Sequence, residues 1–421
     1  MIKNEKALLV GVYSSGKDKK LCEDYLDELE RLADTAGLET VGKVPCSVKK
    51  IEAGTYLGTG KIEELIALSL QLSADLIIFD DEISPQQQRN LEKLFKKSVI
   101  DRTELILEVF AQRAQTKEAR LQIELAKVKY QFPRLKRLWT HLSRQTSGGG
   151  GFTKGEGEKQ IELDRRMLRE QVEKLQKEIK EVSKQRQTQR SARLRSRIPT
   201  FAIVGYTNVG KSTLLKALTQ ADVLVEDKLF ATLDTTTRKF ILPNRQEILL
   251  IDTVGFIRKI PHTLVAAFKS TLEEAVYTDI LLHLIDVSHP MAESQAEETM
   301  KVLTELHAAD RPIITVLNKV DQCKNPLLIH KLRLKYPKTV AISALQRTGF
   351  NELLERMEQE ISKLRTTVHL RIPQSQYALI SELMREGHVI SSEYEENDVL
   401  LHIEIPSSLT HKVERFVTDP S

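Results

Sequence analysis

Long apolar runs are missing from the 421 residues. No stretch of about 18 consecutive apolar residues occurs, which excludes a membrane-spanning helix. The N-terminus, Met1-Ile2-Lys3-Asn4-Glu5, lacks the apolar core of a secretory signal, which points to a cytoplasmic protein. Cysteine is scarce. Cys22, Cys46 and Cys323 are odd in number, far apart and without a CxxC pair, so neither a disulfide framework nor a zinc site is expected. The histidines, among them His141, His262, His283, His289 and His307, show no metal-ligand spacing, and none is assigned a catalytic role. Disorder is excluded as well, because 41% hydrophobic residues can fill sizeable cores.

Charge is nearly balanced overall, at +4, but it is unevenly placed. Arg113–Arg197 holds 23 Lys+Arg against 10 Asp+Glu, and the remainder holds 40 against 49. A strongly cationic segment on an otherwise acidic chain points to a polyanion partner, nucleic acid first. A charge run is usually only a solvated face. An excess of this size would dominate the local potential, which favours contact with phosphates.

The pattern predicts an α/β protein in four parts. Residues 1–112 alternate strand and helix signals: strands at 7–12 and 76–79, and helices at 21–36, 62–72 and from Ser84 to about Lys96. Such alternation implies a mostly parallel sheet. Residues 113–198 carry two heptad stripes, Leu121, Leu125, Val128, Phe132, Leu135, Trp139, Leu142 and then Leu168, Val172, Leu175, Ile179, Val182. These suit a long basic helical hairpin, with Pro133 expected to kink or interrupt its first arm. Between them lies the glycine-rich stretch Ser147–Gly157, the expected tip; the arms carry Arg134, Lys136, Arg137 and Arg144 on one side and Lys159, Arg165, Arg166 and Arg169 on the other. Residues 199–365 read as a nucleotide-binding domain with a central, mostly parallel sheet. Residues 366–421 read as a small α+β module: strand 368–372, helix 377–385, strands 389–394 and 399–405, and a short helix from Leu409.

The chemistry is concentrated in the third part. Gly205-Tyr206-Thr207-Asn208-Val209-Gly210-Lys211-Ser212 follows an apolar strand and, with Thr213, opens a helical pattern. That is the strand–loop–helix setting of a P-loop, in which glycines let backbone N–H groups wrap phosphates at a helix N-terminus. Lys211 is expected to neutralise the β- and γ-phosphates and the Ser212 hydroxyl to ligate Mg²⁺. Asn318-Lys319-Val320-Asp321 follows the apolar run 313–317. A carboxylate at Asp321 can accept from guanine N1–H and N2–H₂, a donor pair adenine lacks, so GTP is the expected substrate. Asn318 is expected at the other base edge, with the Lys319 stem over the ring. The strand ending in Asp252-Thr253-Val254-Gly255 would bring Asp252 near Mg²⁺ and the Gly255 N–H to the γ-phosphate. Ser343-Ala344-Leu345 follows another strand and would close over the base. Phe230-Ala231-Thr232-Leu233-Asp234 opens a threonine-rich segment offering hydroxyls to the metal, and spacing alone does not choose among them.

The order GYTNVGKS, FATLD, DTVG, NKVD, SAL resembles that of translation-factor-class GTPases. With Thr55–Lys61, Asp80–Asn90, Val99–Thr103, Ala111–Ala114 and Gly155–Glu162, nearly the whole chain is similar to the HflX family. The resemblance implies a cytoplasmic GTPase that binds the large (50S) ribosomal subunit through ribosomal RNA and splits stalled or idle 70S ribosomes. The expected partners are therefore the 50S subunit and the 70S ribosome, with the chain acting as a monomer. It also makes Thr232 the second protein ligand of Mg²⁺, beside Ser212, and Lys211, Thr232 and Gly255 the catalytic groups. Asn208 stands where some related GTPases hold K⁺ beside the phosphates. Phe256 stands where many carry a water-orienting Gln, and a phenyl ring cannot hydrogen-bond water, so intrinsic hydrolysis is expected to be slow and stimulated by the ribosome. The alternative is a GTP-regulated RNA-binding checkpoint in large-subunit biogenesis.

Overall fold

A computed structural model describes residues 4–145, 163, 166–184, 198–219, 228–230, 232–233, 235–259, 277–395, 397–406 and 409–418. The glycine-rich stretch 147–157, Lys159, Arg165, Ala231 and Asp234 lie outside these residues, as do the side chains of 135–145. By internal packing the chain falls into two units.

Unit 1 comprises residues 1–183 together with 226–234 and 259–270. Its sheet is parallel, in the order β2-β1-β3-β4, from β1 (Lys6–Tyr13), β2 (Glu39–Ser47), β3 (Leu76–Phe79) and β4 (Ser98–Asp101). Leu8, Val10, Ile77, Phe79 and Val99 from these strands pack on Leu57, Ile62, Leu65, Leu91 and Phe95 of loops and helices. The crossover helix Lys19–Ala36 ends where Gly37 takes a left-handed conformation (φ 83°) that a side chain would resist. Helix Pro85–Phe95 starts on a reciprocal cap, the Ser84 hydroxyl accepting from Gln87 N and the Gln87 side chain from Ser84 N.

The heptad stripes become two packed helices, Lys117–Gln145 and 166–184. Leu121, Leu125 and Val128 meet Leu175, flanked by Leu168, Val172, Ile179 and Val182. The expected interruption at Pro133 does not occur; the helix continues through it. Proline removes one main-chain bond there, and the adjacent Arg134 anchors the turn, donating to Tyr130 O, Ile83 O and Asp101 Oδ2. Arg134 is thus turned into the fold and paired with a fully buried carboxylate, and is not part of a cationic surface. Unit 1 also takes in Phe230, whose ring stands edge-on to Phe110 at 4.5 Å. Lys259 pairs with Asp81 and with Asp80 (3.4 Å). Asp80 in turn holds the buried Arg102 (3.0 Å), which also pairs with Glu28.

Unit 2 carries a six-stranded sheet, β10-β9-β8-β5-β7-β6, built from β5 (Thr200–Gly205), β6 (Thr236–Ile241), β7 (Glu247–Asp252), β8 (Ile280–Asp286), β9 (Ile313–Asn318) and β10 (Thr339–Ala341). Every pairing is parallel except β6 with β7. The chain is α/β, with a mostly parallel central sheet. β8 is buried along its whole length, as a central parallel strand covered on both faces must be. His283 within it is buried, its ring edge-on to Tyr336, and burial lowers its pKa to about 4, so it packs as a neutral ring. Strands β11 (Arg365–Pro373), β12 (His388–Glu395) and β13 (Asp398–Pro406) form a separate antiparallel sheet in the order β11-β13-β12. Helix Tyr377–Glu386 and the short Thr410–Val413 accompany it, and the core includes Leu370, Leu383, Leu401, Ile403 and Val413.

Candidate functional site

β5 has β7 on one side and β8 on the other, so the strand order reverses at it. A crevice forms at the carboxyl end of such a strand. Gly205 ends β5, Asp252 ends β7, Asp286 ends β8 and Asn318 ends β9. The motifs, separated by as many as 113 residues in sequence (Gly205 to Asn318), therefore converge on one edge of the sheet.

The loop from Gly205 to Gly210 leads into helix Lys211–Thr219. Gly210 has φ 94°, and a β-carbon there would lie 2.4 Å from Asn318 Nδ2. Only glycine fits. Asn208 is also left-handed (φ 59°), a conformation asparagine tolerates, which by itself accounts for this residue type. Lys211 is 7% exposed and donates from Nζ to Tyr206 O (2.7 Å) and Gly205 O (3.2 Å). Burial lowers its pKa to about 8, against an opposing effect of the Asp252 carboxylate. Ser212 Oγ donates to Asp252 Oδ2 at 2.6 Å. A hydroxyl beside a carboxylate is the hard-oxygen donor set that suits Mg²⁺.

Gly255 sits against this loop. A β-carbon on it would lie 2.8 Å from Thr207 Cα and 2.9 Å from Lys211 Nζ. The Phe256 backbone locks the two segments together, its N–H donating to Gly205 O (3.0 Å) and its carbonyl accepting from Thr207 N (2.7 Å). Its ring is buried, 1% exposed. The Arg258 N–H donates to Tyr206 Oη (2.8 Å), and Thr253 Oγ1 to Ile203 O (2.7 Å).

Asn318 is 1% exposed and works as a fastener. Its Nδ2 donates to Val209 O (2.7 Å) and its Oδ1 accepts from Ala344 N (2.9 Å), so one side chain ties the P-loop to the Ser343–Leu345 segment. The second hydrogen of Nδ2 is the one that the expected contact with the base edge would use. Lys319 Nζ reaches Asn208 O (2.9 Å) and Asp286 Oδ2 (2.7 Å). Asp286 escaped the sequence reading, although its signal was available: like Asp252, it closes an apolar run. Asp321 is exposed, within the turn Val320–Gln322, and Val320 N donates to Ile342 O (3.3 Å). Ser343 is buried, with Oγ accepting from Gln346 N, and Leu345 is exposed. Thr213 is half-buried near the start of its helix. Phe230 and Leu233 are buried and Thr232 half-buried, all three belonging with unit 1.

Three family models match the chain: "GTP-binding GTPase N-terminal" over residues 23–111, "GTP-binding GTPase Middle Region" over 113–193 and "50S ribosome-binding GTPase" over 200–319. GTPase HflX of Chlamydia pneumoniae is 50% identical over 416 residues, covering 98% of this chain and 88% of the relative. GTPase HflX of Caldanaerobacter subterraneus is 43% identical over 413 residues, covering 98% and 94%. The chain belongs to the HflX family. A solved GTP-binding protein from Sulfolobus solfataricus, in complex with GDP, is 26% identical over 86% of this chain and 99% of its own, at a TM-score of 0.45; membership rests on the sequences alone. An HflX-family chain is a GTPase: it binds GTP, with the Mg²⁺ usual to such sites, and hydrolyses it to GDP and phosphate. Among the described residues no helix is long and apolar enough to cross a membrane, and no group of His, Cys, Asp and Glu is placed to hold a metal on its own.

Proposed function

We propose that this HflX-family GTPase binds the 50S ribosomal subunit and splits stalled or idle 70S ribosomes into subunits, as a cytoplasmic monomer. The observation that carries the reading is the pairing, in one chain, of a guanine-nucleotide site with the cationic segment Arg113–Arg197. The match to a family described as a 50S ribosome-binding GTPase supports the choice of polyanion. The working parts are residues 1–112, the basic hairpin 113–198, the GTPase domain 199–365 and the module 366–421.

At the nucleotide, the loop backbone from Gly205 to Lys211 receives the phosphates, and Lys211 exchanges its bonds to Gly205 O and Tyr206 O for bonds to phosphate oxygens. Ser212, held by Asp252, and Thr232 would hold Mg²⁺, which when bound offsets the charge on the phosphates. Gly255 supplies its N–H to the γ-phosphate. Asp321 takes the guanine donor pair, and Ser343–Leu345 close over the base. The buried Phe256 ring cannot orient water, so hydrolysis is slow until the ribosome orders the site. Bound GTP, not its cleavage, then drives separation, and hydrolysis releases the factor. For K⁺, Asn208 is the residue that would contribute, and replacing K⁺ by Na⁺ in the hydrolysis assay tests it.

Sedimentation of intact 70S ribosomes with the protein and GDP, GTP or a non-hydrolysable analogue decides the matter. Conversion to subunits with both GTP and the analogue is expected. Ribosomes that stay intact while the protein co-sediments with 50S precursors would leave the biogenesis checkpoint standing instead.

A further inference from the structure

The antiparallel sheet β11-β13-β12 gives one of its faces to a core. Leu370 and Ile372 of β11 and Leu401 and Ile403 of β13 belong to that core. Side chains alternate along a strand, so His369 and His402 lie on the other face. They are direct partners across β11 and β13, although 33 residues separate them in sequence. His369 O accepts from Thr418 N (2.8 Å), on the side of β11 away from β13. The His369–His402 pair is therefore one whose main chains do not bond each other, the kind that brings side chains closest. Their rings stack, with centroids 4.0 Å apart and planes at 14°. Both residues are half-buried, and among the described residues neither imidazole has a hydrogen-bond partner.

Two free imidazoles side by side make a chelating pair. We propose that His369 and His402 together bind a late first-row divalent cation, Zn²⁺ or its neighbours Cu²⁺ and Ni²⁺. Imidazole nitrogen suits these ions, whereas Mg²⁺ takes oxygen, so the site differs in chemistry from Ser212 and Asp252. Zn–N bonds of about 2.0–2.1 Å in a tetrahedral shell put two nitrogens about 3.3 Å apart. Rings stacked at 4.0 Å come to that spacing by a small turn of each side chain. No set of three or more His, Cys, Asp and Glu stands together among the described residues, so water completes the shell. The positive charges of β11 on this face are offset. Arg371 donates to Asp398 Oδ2 (2.8 Å) and Glu395 Oε2 (2.9 Å), and Arg365 feels the Glu404 carboxylate.

The test measures Zn²⁺ binding by the full chain in competition with a chromophoric chelator, without a polyhistidine tag and with Mg²⁺ and GDP in the P-loop site. His369→Gln and His402→Gln are each expected to weaken binding of one Zn²⁺ by about tenfold or more, because the second bond of a chelate forms at high effective concentration. The double variant should lose no more than either single one. Paramagnetic resonance of bound Cu²⁺ should show two nitrogen ligands in the parent chain and fewer in each variant. Unchanged GTP hydrolysis and melting temperature check that the variants fold. A parent chain that binds no Zn²⁺ overturns the proposal, as does an affinity that stays within about twofold in both single variants. Losses that add in the double variant overturn it too, since they mark two independent one-nitrogen binders. No ribosome enters the experiment, so its failure leaves the subunit-splitting reading untouched.

Discussion

Lys211 is a buried cation whose ligand is its own loop, which makes its proton a reporter of nucleotide. With its pKa lowered to about 8, the free protein sheds this proton as pH rises past 8. Phosphates in contact with the ammonium hold it on. Binding is therefore linked to proton uptake above that pH, and GTP affinity is expected to fall by up to about tenfold per pH unit there. Calorimetry at pH 9 in buffers of different ionisation enthalpy reads the uptake directly, and Lys211→Ala should abolish nucleotide binding altogether. Gly210→Ala is a second test at this scale. The added methyl meets Asn318 Nδ2 at 2.4 Å in a left-handed backbone, so it should break the tie between the P-loop and Ala344. A loss of guanine-nucleotide affinity of tenfold or more, with the melting temperature shifted by only a few degrees, is the outcome expected.

Among elements, the helical hairpin is held by a narrow seam. Leu175, 5% exposed, meets Leu121, Leu125 and Val128. Leu175→Ala should cost about 2–3 kcal/mol locally, seen as faster hydrogen exchange in 166–184 while GTP binding is retained. This seam was legible in the sequence because its spacing repeats, as were the cap at Ser84 and the strands that deliver Gly205, Asp252 and Asn318, because each is an apolar run ending in a glycine or a polar residue. β2 was not legible. It is an edge strand, mostly half-exposed, and carries Gly42 and Pro45, so no clean alternation marks it. β6 was hidden in the same way, since Thr236 and Thr237 read as loop hydroxyls until antiparallel pairing with β7 makes them strand. At the site, motif spacing singles out candidate residues but not the bonds they make to one another. That Asn318 and Lys319 also bond the P-loop follows from β9 ending at the same edge of the sheet as β5, and only tertiary structure supplies that.

For the molecule as a whole, deleting 147–157 is expected to leave GTP binding and basal hydrolysis intact while abolishing ribosome splitting, measured by sedimentation. Affinity of the full chain for ribosomal RNA should fall steeply as salt rises, because neutralised phosphates release their counterions. Within unit 1, Phe230 packs on Phe110 and Lys259 pairs with Asp80 and Asp81. On the proposed function, GTP and ribosomal RNA are both ligands of this one chain. Linkage between two such ligands is reciprocal. Whatever factor GTP contributes to holding RNA, bound RNA must return to GTP in equal measure.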